Sequence, residues 1–344
     1  MRDAAPNDTP RDTPRDIPRD TGLRDRVLLA LLLALAIAVP FGANTAGLPA
    51  TTGIATQIAC LAIAAASLNL ILGHGGLVSF GHAAYFGLGG YAVGILWEHF
   101  RLGEPIFGII PGSNELLVTL PAAMLVAGVA AAAIGALSLR TSGVQFIMIT
   151  LAFAQMVFFL FVGLTQYGGD DGLVVRRRNL VPGLDLREPA QMYWLCLGLL
   201  VAWLYVLHRI VGSRFGRVLE GIRQNERRMA AIGVPTYFYK LVAFVISGVG
   251  CGMAGALMAN YLRFVSPDML SWQRSGEIMV MVILGGMGNL LGPVLGAAGL
   301  VGLEYLLGGI TEHWQFILGP ILIVIVLFAR GGILGLLGFG RRHG

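Results

Sequence analysis

The stretch Gly73 to Tyr91, GHGGLVSFGHAAYFGLGGY, places seven glycines, two histidines and a serine in an apolar neighbourhood. Ser79 near His82 suggests a nucleophile with its base, and His74 with His82 suggests a metal pair. Neither chemistry is completed by the surrounding residues. An activated serine on a sharp strand-to-helix turn follows the pattern G-x-S-x-G, and here Leu77 stands in the first glycine position. His-Gly-Gly at 74–76 is like an oxyanion loop, but no acid–base partner sequence follows it. His74 and His82 would lie about 80° apart on an unbroken helix. No nearby Cys, Asp or Glu completes a metal shell. Local hydrogen bonding is the stronger reading for Ser79 and His82, with an intramembrane serine hydrolase as the alternative.

Nucleotide chemistry has no motif either. A P-loop needs G-x-x-x-x-G-K-[ST] so that a lysine reaches the phosphates. The only lysine, Lys240, lies in YFYKLVAF. The chain is therefore not read as a P-loop ATPase or as an enzyme, and no cofactor or metal is expected in it. Any ATP-driven step belongs to another subunit.

The elements that position these residues follow from composition. Of 344 residues, 56% are hydrophobic and 12% are charged, about half the charged share of a soluble domain. Apolar runs of roughly 20 residues recur, enough to cross a hydrocarbon core of about 30 Å. They fall at 27–41, 52–72, 77–96, 116–139, 143–164, 191–211, 241–262, 276–289, 293–310 and 314–329. The expected fold is an all-α polytopic membrane protein of about ten transmembrane helices with Gly-rich broken hairpins. A cleaved signal is the alternative for the first run, which is kept as a span. Cys60, Cys196 and Cys251 sit inside apolar runs and read as packing residues.

Residues 1–26 carry the repeat TPRDTPRDIPRD, which predicts a disordered Pro/Arg/Asp-rich cytoplasmic tail. A permeation domain then covers 27–337, and 338–344 form a short basic C-terminal tail. With both termini cytoplasmic, 17 of the 24 Lys and Arg residues fall inside, as the positive-inside rule requires. Arg176, Arg177 and Arg178 on the outside are the discordant feature. The net charge of +5 thus speaks to membrane orientation, and nucleic acid is not an expected partner.

Two hairpins are alike: the one beginning ILGHGG at Ile71 and the one beginning ILGGMG at Ile283. A weak internal duplication and the general likeness of Gly-rich membrane hairpins explain this equally well. Successive helix breaks near Gly73–Gly76 and Gly285–Pro293 free backbone groups, which are tolerable only where protein buries them or a cavity wets them. Asn69, Ser79 and Asn289 can serve those groups. The spacings Gly90/Gly94, Gly248/Gly252 and Gly288/Gly292/Gly296 permit close helix approach. Glu277 and Glu304 are acids near or within spans, a functional signal by default.

The segment GSRFGRVLEGIRQNERRMAAIGVP, 212–235, predicts one helix from a Ser213 cap to Gly233, with Pro235 beyond. Phe215, Val218, Leu219 and Ile222 form an apolar stripe, and Arg214, Arg217, Arg223, Arg227 and Arg228 crowd the rest. Such a helix lies on anionic lipid or docks into a partner.

From Gly216, GRVLEGIRQNERRMAAIGVP resembles the cytoplasmic loop of branched-chain amino acid ABC transporter permeases of the LivM type (LivHM permease family). Gly216, Arg217, Gly221, Ile222, Arg223, Asn225, Glu226 and Gly233 fill the positions of its motif. Ser79, Gly81, His82 and Ala83 fit the family's early hairpin. LTQYGGDDGL resembles its outer loop, VMVILGGMGNLLGPVLGA its late hairpin and FARGGILGLL its exit. The resemblance covers about 27–337, and Arg227 and Arg228 depart from it where relatives carry small residues.

It implies a bacterial inner-membrane importer made of this chain, a LivH-type permease subunit, two ABC ATPase subunits of LivG/LivF type that bind ATP and Mg²⁺, and a periplasmic amino-acid-binding protein. The coupling helix would use Phe215, Gly216, Arg217, Ile222, Arg223, Asn225, Glu226 and Gly233. The path or hinge would use Asn69, Gly73, Gly76, Ser79, Gly81, His82, Gly285, Gly288, Asn289 and Gly292. Branched-chain or other hydrophobic amino acids are the expected cargo. The alternatives are urea, short amides or another small metabolite on the same machine, and a stand-alone channel or secondary transporter.

Overall fold

A computed structural model of the chain describes residues 49–105, 111–310, 313–328 and 332–336. The tail at 1–26, the apolar run at 27–41 and the basic terminus at 338–344 lie outside the described residues. Helices dominate: α1 (Pro49–Asn69), α2 (His82–Leu102), α3 (Leu116–Ser138), α4 (Val144–Gly163), α5 (Pro189–Gly212), α6 (Arg214–Gln224), α7 (Glu226–Ala231), α8 (Thr236–Leu262), α9 (Trp272–Gly285), α10 (Gly292–Gly308), α11 (Trp314–Phe328) and α12 (Gly332–Leu336). The all-α expectation has one small exception. β1 (Leu173–Val174) pairs antiparallel with β2 (Phe264–Val265), Leu173 opposite Val265.

Burial sorts the helices into layers. α1 and α8 are mostly enclosed by protein, and α3, α4 and α5 mostly face outward. α8 is the axis and packs on α1, α2 and α3. Small residues make this contact close. A Cβ at Gly255 would overlap the Phe86 carbonyl, and one at Gly89 would overlap that of Gly252. Of the spacings read from sequence, Gly248 and Gly252 lie in this seam. Gly288 does not belong to a packing face, because it sits in a turn between α9 and α10. On the outward helices, Leu125, Val129, Met156, Phe159 and Leu160 are exposed, as a lipid-facing surface requires.

Among the described residues, five helices are long and apolar enough to span a membrane: α1 with its extension to His74, α3, α4, α5 and α8. The run at 276–289 becomes α9, shifted to 272–285 and only 14 residues long, roughly 21 Å. The reason lies before it. After α8 the chain turns back through β2 and a 3₁₀ turn (Pro267–Leu270) that packs on α2, where Leu270 is fully buried against Gly87. α9 therefore starts inside the bundle. Arg274, which lies between two apolar runs of the sequence, is the third residue of that helix.

The three cysteines are buried free thiols, as packing residues are. Cys60 on α1 and Cys196 on α5 bring their sulfurs to 3.7 Å as free thiols. Helix packing makes this pair, and it has no trace in sequence spacing.

Candidate functional site

The break after α1 begins as a five-residue π-turn, Leu70–His74, a local widening that is rare and frequent at functional sites. The Leu77 N–H closes the turn on the Ile71 carbonyl at 2.9 Å. The break between α9 and α10 occupies residues 286–291. These two breaks meet. The Asn69 side chain, 1% exposed, accepts from the Gly288 N–H at 3.0 Å and donates to the Asn289 carbonyl at 2.8 Å. One amide thus stands in for a paired strand and satisfies both freed backbone groups. The Asn289 side chain accepts from the Leu291 N–H at 3.2 Å and leads the chain into α10.

The third party is α6. Arg223 donates from its guanidinium to the Gly73 carbonyl. Its aliphatic stem runs past Gly76, where φ is +68° and a Cβ would meet the Arg223 Cγ at 2.9 Å. Gly73 is equally constrained, since a Cβ there would overlap the Asn69 amide oxygen. Gly285 and Gly292 complete the site at the crossing of α9 and α10, where a Cβ on Gly285 would overlap the Gly292 carbonyl. Asn69, Gly73, Gly76, Gly285, Gly288, Asn289, Gly292 and Arg223 are therefore one junction.

Ser79, Gly81 and His82 form a second, deeper cluster. The Ser79 Oγ accepts from the Gly81 N–H at 3.2 Å and lies 3.2 Å from His82 Nδ1. His82 Nε2 lies 2.9 Å from the Ser247 Oγ, and Ser247 donates to the Ser67 carbonyl at 2.6 Å. Ser247 has one proton to give, so His82 donates from Nε2, and in the neutral ring Nδ1 then accepts from the Ser79 hydroxyl. Ser67 accepts from the Trp203 indole at 2.8 Å. The chain Ser79–His82–Ser247–Ser67–Trp203 thus ties the first break to α8, α1 and α5. A nucleophile reading fails on this geometry: Ser79 and His82 are fully buried, and no carboxylate orients the imidazole. Among the described residues no group of three His, Cys, Asp or Glu side chains could hold a metal ion.

Two further residues, unmarked in the sequence by any motif, clamp the same break. Thr150 on α4 accepts from the Phe80 N–H at 3.3 Å. Ser275 on α9 donates to the Phe80 carbonyl at 2.7 Å and accepts from the Ala83 N–H at 2.8 Å.

The segment 212–235 is not one helix. It breaks at Asn225, whose extended backbone ends α6 and whose side chain caps α7 through the Arg228 N–H at 2.9 Å. Asn is among the strongest N-caps, so the signal was present inside the amphipathic stretch. Ser213 does not cap α6; it donates back to the Ile210 carbonyl of α5 at 2.6 Å. Leu219 and Ile222 are buried, and Phe215 stacks on Tyr239 at 5.4 Å. Gly216 packs against the Val211 backbone, and Gly233 (φ +87°) turns the chain after α7. Glu226 holds Lys240 at 2.5 Å. Arg217, Arg223, Arg227 and Arg228 are exposed, and of these Arg223 turns its guanidinium to Gly73.

At the other end of α5, Arg176, Arg177, Arg178, Arg187 and Arg263 line an open cavity of about 500 Å³. Burial and the neighbouring Arg263 lower the affinity of Arg178 for its proton. Elsewhere, Glu277 pairs with Arg274 at 2.5 Å, and Glu304 on α10 is half-buried.

Residues 50–327 match the family described as the permease component of branched-chain amino acid transport systems. The chain belongs to this family. The permease is 27% identical over 336 residues to the high-affinity branched-chain amino acid transport system permease protein LivM of Escherichia coli K12, covering 91% of this chain and 75% of the relative. The Salmonella typhimurium LivM is 26% identical over the same span. The autoinducer 2 import system permease protein LsrC of Klebsiella pneumoniae is 31% identical over 160 residues, 42% of this chain and 46% of the relative. No solved structure matches the permease.

Proposed function

We propose that this permease is the membrane-spanning subunit of a bacterial ABC importer for branched-chain or other hydrophobic amino acids. It would work with a LivH-type permease, two LivG/LivF-type ATPase subunits that bind ATP and Mg²⁺, and a periplasmic binding protein. In this reading all ten apolar runs of the sequence cross the membrane, which leaves both termini and α6 in the cytoplasm. The observation that carries the reading is the contact of α6 with the first helix break through Arg223 and Gly73, which Asn69 joins to the second. An Arg-rich surface helix that reaches a hinge can turn motion of a docked ATPase into rearrangement of α1 and α9. A stand-alone channel has no need of such a link.

The test uses the assembled transporter in proteoliposomes. Arg223→Ala is expected to cut leucine uptake about tenfold, the size of a lost charge-assisted hydrogen bond, with ATPase subunits still bound. Arg227→Glu is expected to weaken ATPase co-purification instead. Uptake unaffected by Arg223→Ala, or a wild-type chain that co-purifies with no ATPase, would sink the reading. The similarity to LsrC permeases over part of the chain favours a second cargo reading, a different small metabolite on the same machine. A ligand screen of the cognate binding protein separates the two.

A further inference from the structure

Three charged side chains sit where lipid would not tolerate them. Counting from the junction at Gly285, Arg274 lies about 16 Å back along α9, and from Gly292, Glu304 lies about 18 Å along α10. With the junction at the cytoplasmic edge of a hydrocarbon core of about 30 Å, both lie near mid-depth. Arg274 donates to Glu277 at 2.5 Å, with their side chains 31% and 41% exposed, and Glu304 is within electrostatic range of both. Their orientation is fixed from behind. Ser275, fully buried, is bonded to Phe80 and Ala83, and Ile278, Met279 and Val282 fill the inner face of α9.

Charges at this depth face protein or a water-filled path. The set carries one positive and two negative groups, so one carboxylate is left over after the Arg274–Glu277 pair. The Arg274 Nε is buried with no hydrogen-bond partner among the described residues. A cation is wanted beside Glu304 and an acceptor beside Arg274.

We infer that Arg274, Glu277 and Glu304 line the cargo path and form a transient site for a small zwitterion, its ammonium facing the glutamates and its carboxylate facing Arg274. This rests on the importer reading and narrows it, because a neutral cargo such as urea has no use for the spare carboxylate. Ser275 also ties this site to the break that Arg223 reaches, which links cargo and coupling through one helix.

The test uses the whole transporter, with partner permease, ATPases and binding protein, reconstituted in proteoliposomes and assayed with leucine. Glu304→Gln and Arg274→Gln are each expected to lower uptake about tenfold or more. The partner permease and ATPase subunits should still co-purify, and leucine affinity of the soluble binding protein should not change. The swap Arg274→Glu with Glu277→Arg keeps the ion pair and is expected to stay defective. Full uptake by the swap would make the pair structural and overturn the inference. So would normal uptake by Glu304→Gln, or loss of the partner permease from both single variants, which would make this face a subunit interface. A wild-type complex that hydrolyses ATP but imports only neutral cargo overturns the zwitterion site and leaves the importer standing.

Discussion

Asn69 does the work of two backbone partners, and its replacement separates them. Asn69→Ala leaves the Gly288 N–H and the Asn289 carbonyl without their side-chain bonds. Each buried group left unpaired costs about 1–3 kcal/mol. The thermal midpoint of the purified permease in a fixed detergent and lipid mixture should fall accordingly. Asn69→Asp keeps the acceptor for Gly288 but aims a carboxylate oxygen at the Asn289 carbonyl. It is expected to be at least as destabilising as alanine; a midpoint equal to wild type in either variant would mean that water replaces the amide. The sequence made Asn69 and Asn289 legible, because Gly-rich breaks in a membrane span demand nearby polar groups. It did not show that they serve each other, across a separation of 220 residues. Ser247, Ser275 and Thr150 were illegible for the same reason. A serine in an apolar run carries no mark of which distant carbonyl it meets.

At the scale of elements, hydropathy located the helices and misjudged their lengths. Apolar runs record only which residues avoid water, and buried re-entrant turns avoid it as well. The Pro267–Leu270 turn lies inside the bundle, so the chain regains α9 short of a full crossing. The amphipathic stripe of α6 was readable from its spacing, and its end at Asn225 was masked by stronger stop signals at Gly233 and Pro235. What sets the spacing between elements is the α2–α8 seam. Gly255→Ala would drive a Cβ into the backbone carbonyl of Phe86, which no rotamer change relieves. Overpacking of this kind costs about 1–3 kcal/mol, read as a lower thermal midpoint and faster proteolysis. Gly198→Ala on α5 is the control, since a Cβ there has nothing within 4 Å. Equal effects at both positions would remove the seam's special status.

For the whole molecule, the fold sorts basic residues to two ends, and this makes orientation testable. Arg209, Arg214, Arg217, Arg227, Arg228 and Lys240 gather around α6 and α7, where α5 ends and α8 begins. Arg176, Arg177, Arg178, Arg187 and Arg263 gather at the opposite end around one cavity. The positive-inside rule counts basic residues near span ends, and with five arginines at one end against these six basic residues at the other, labelling decides the orientation. With α6 cytoplasmic, Arg217→Cys should react with a membrane-impermeant maleimide only after cells are permeabilised. Arg187→Cys should react in intact spheroplasts. Both positions are exposed, and the three native cysteines are buried in the bundle and give little background. The opposite labelling pattern would invert the molecule. It would put the arginine cavity where the ATPases are, and it would leave α6 facing the periplasm with no motor to move it.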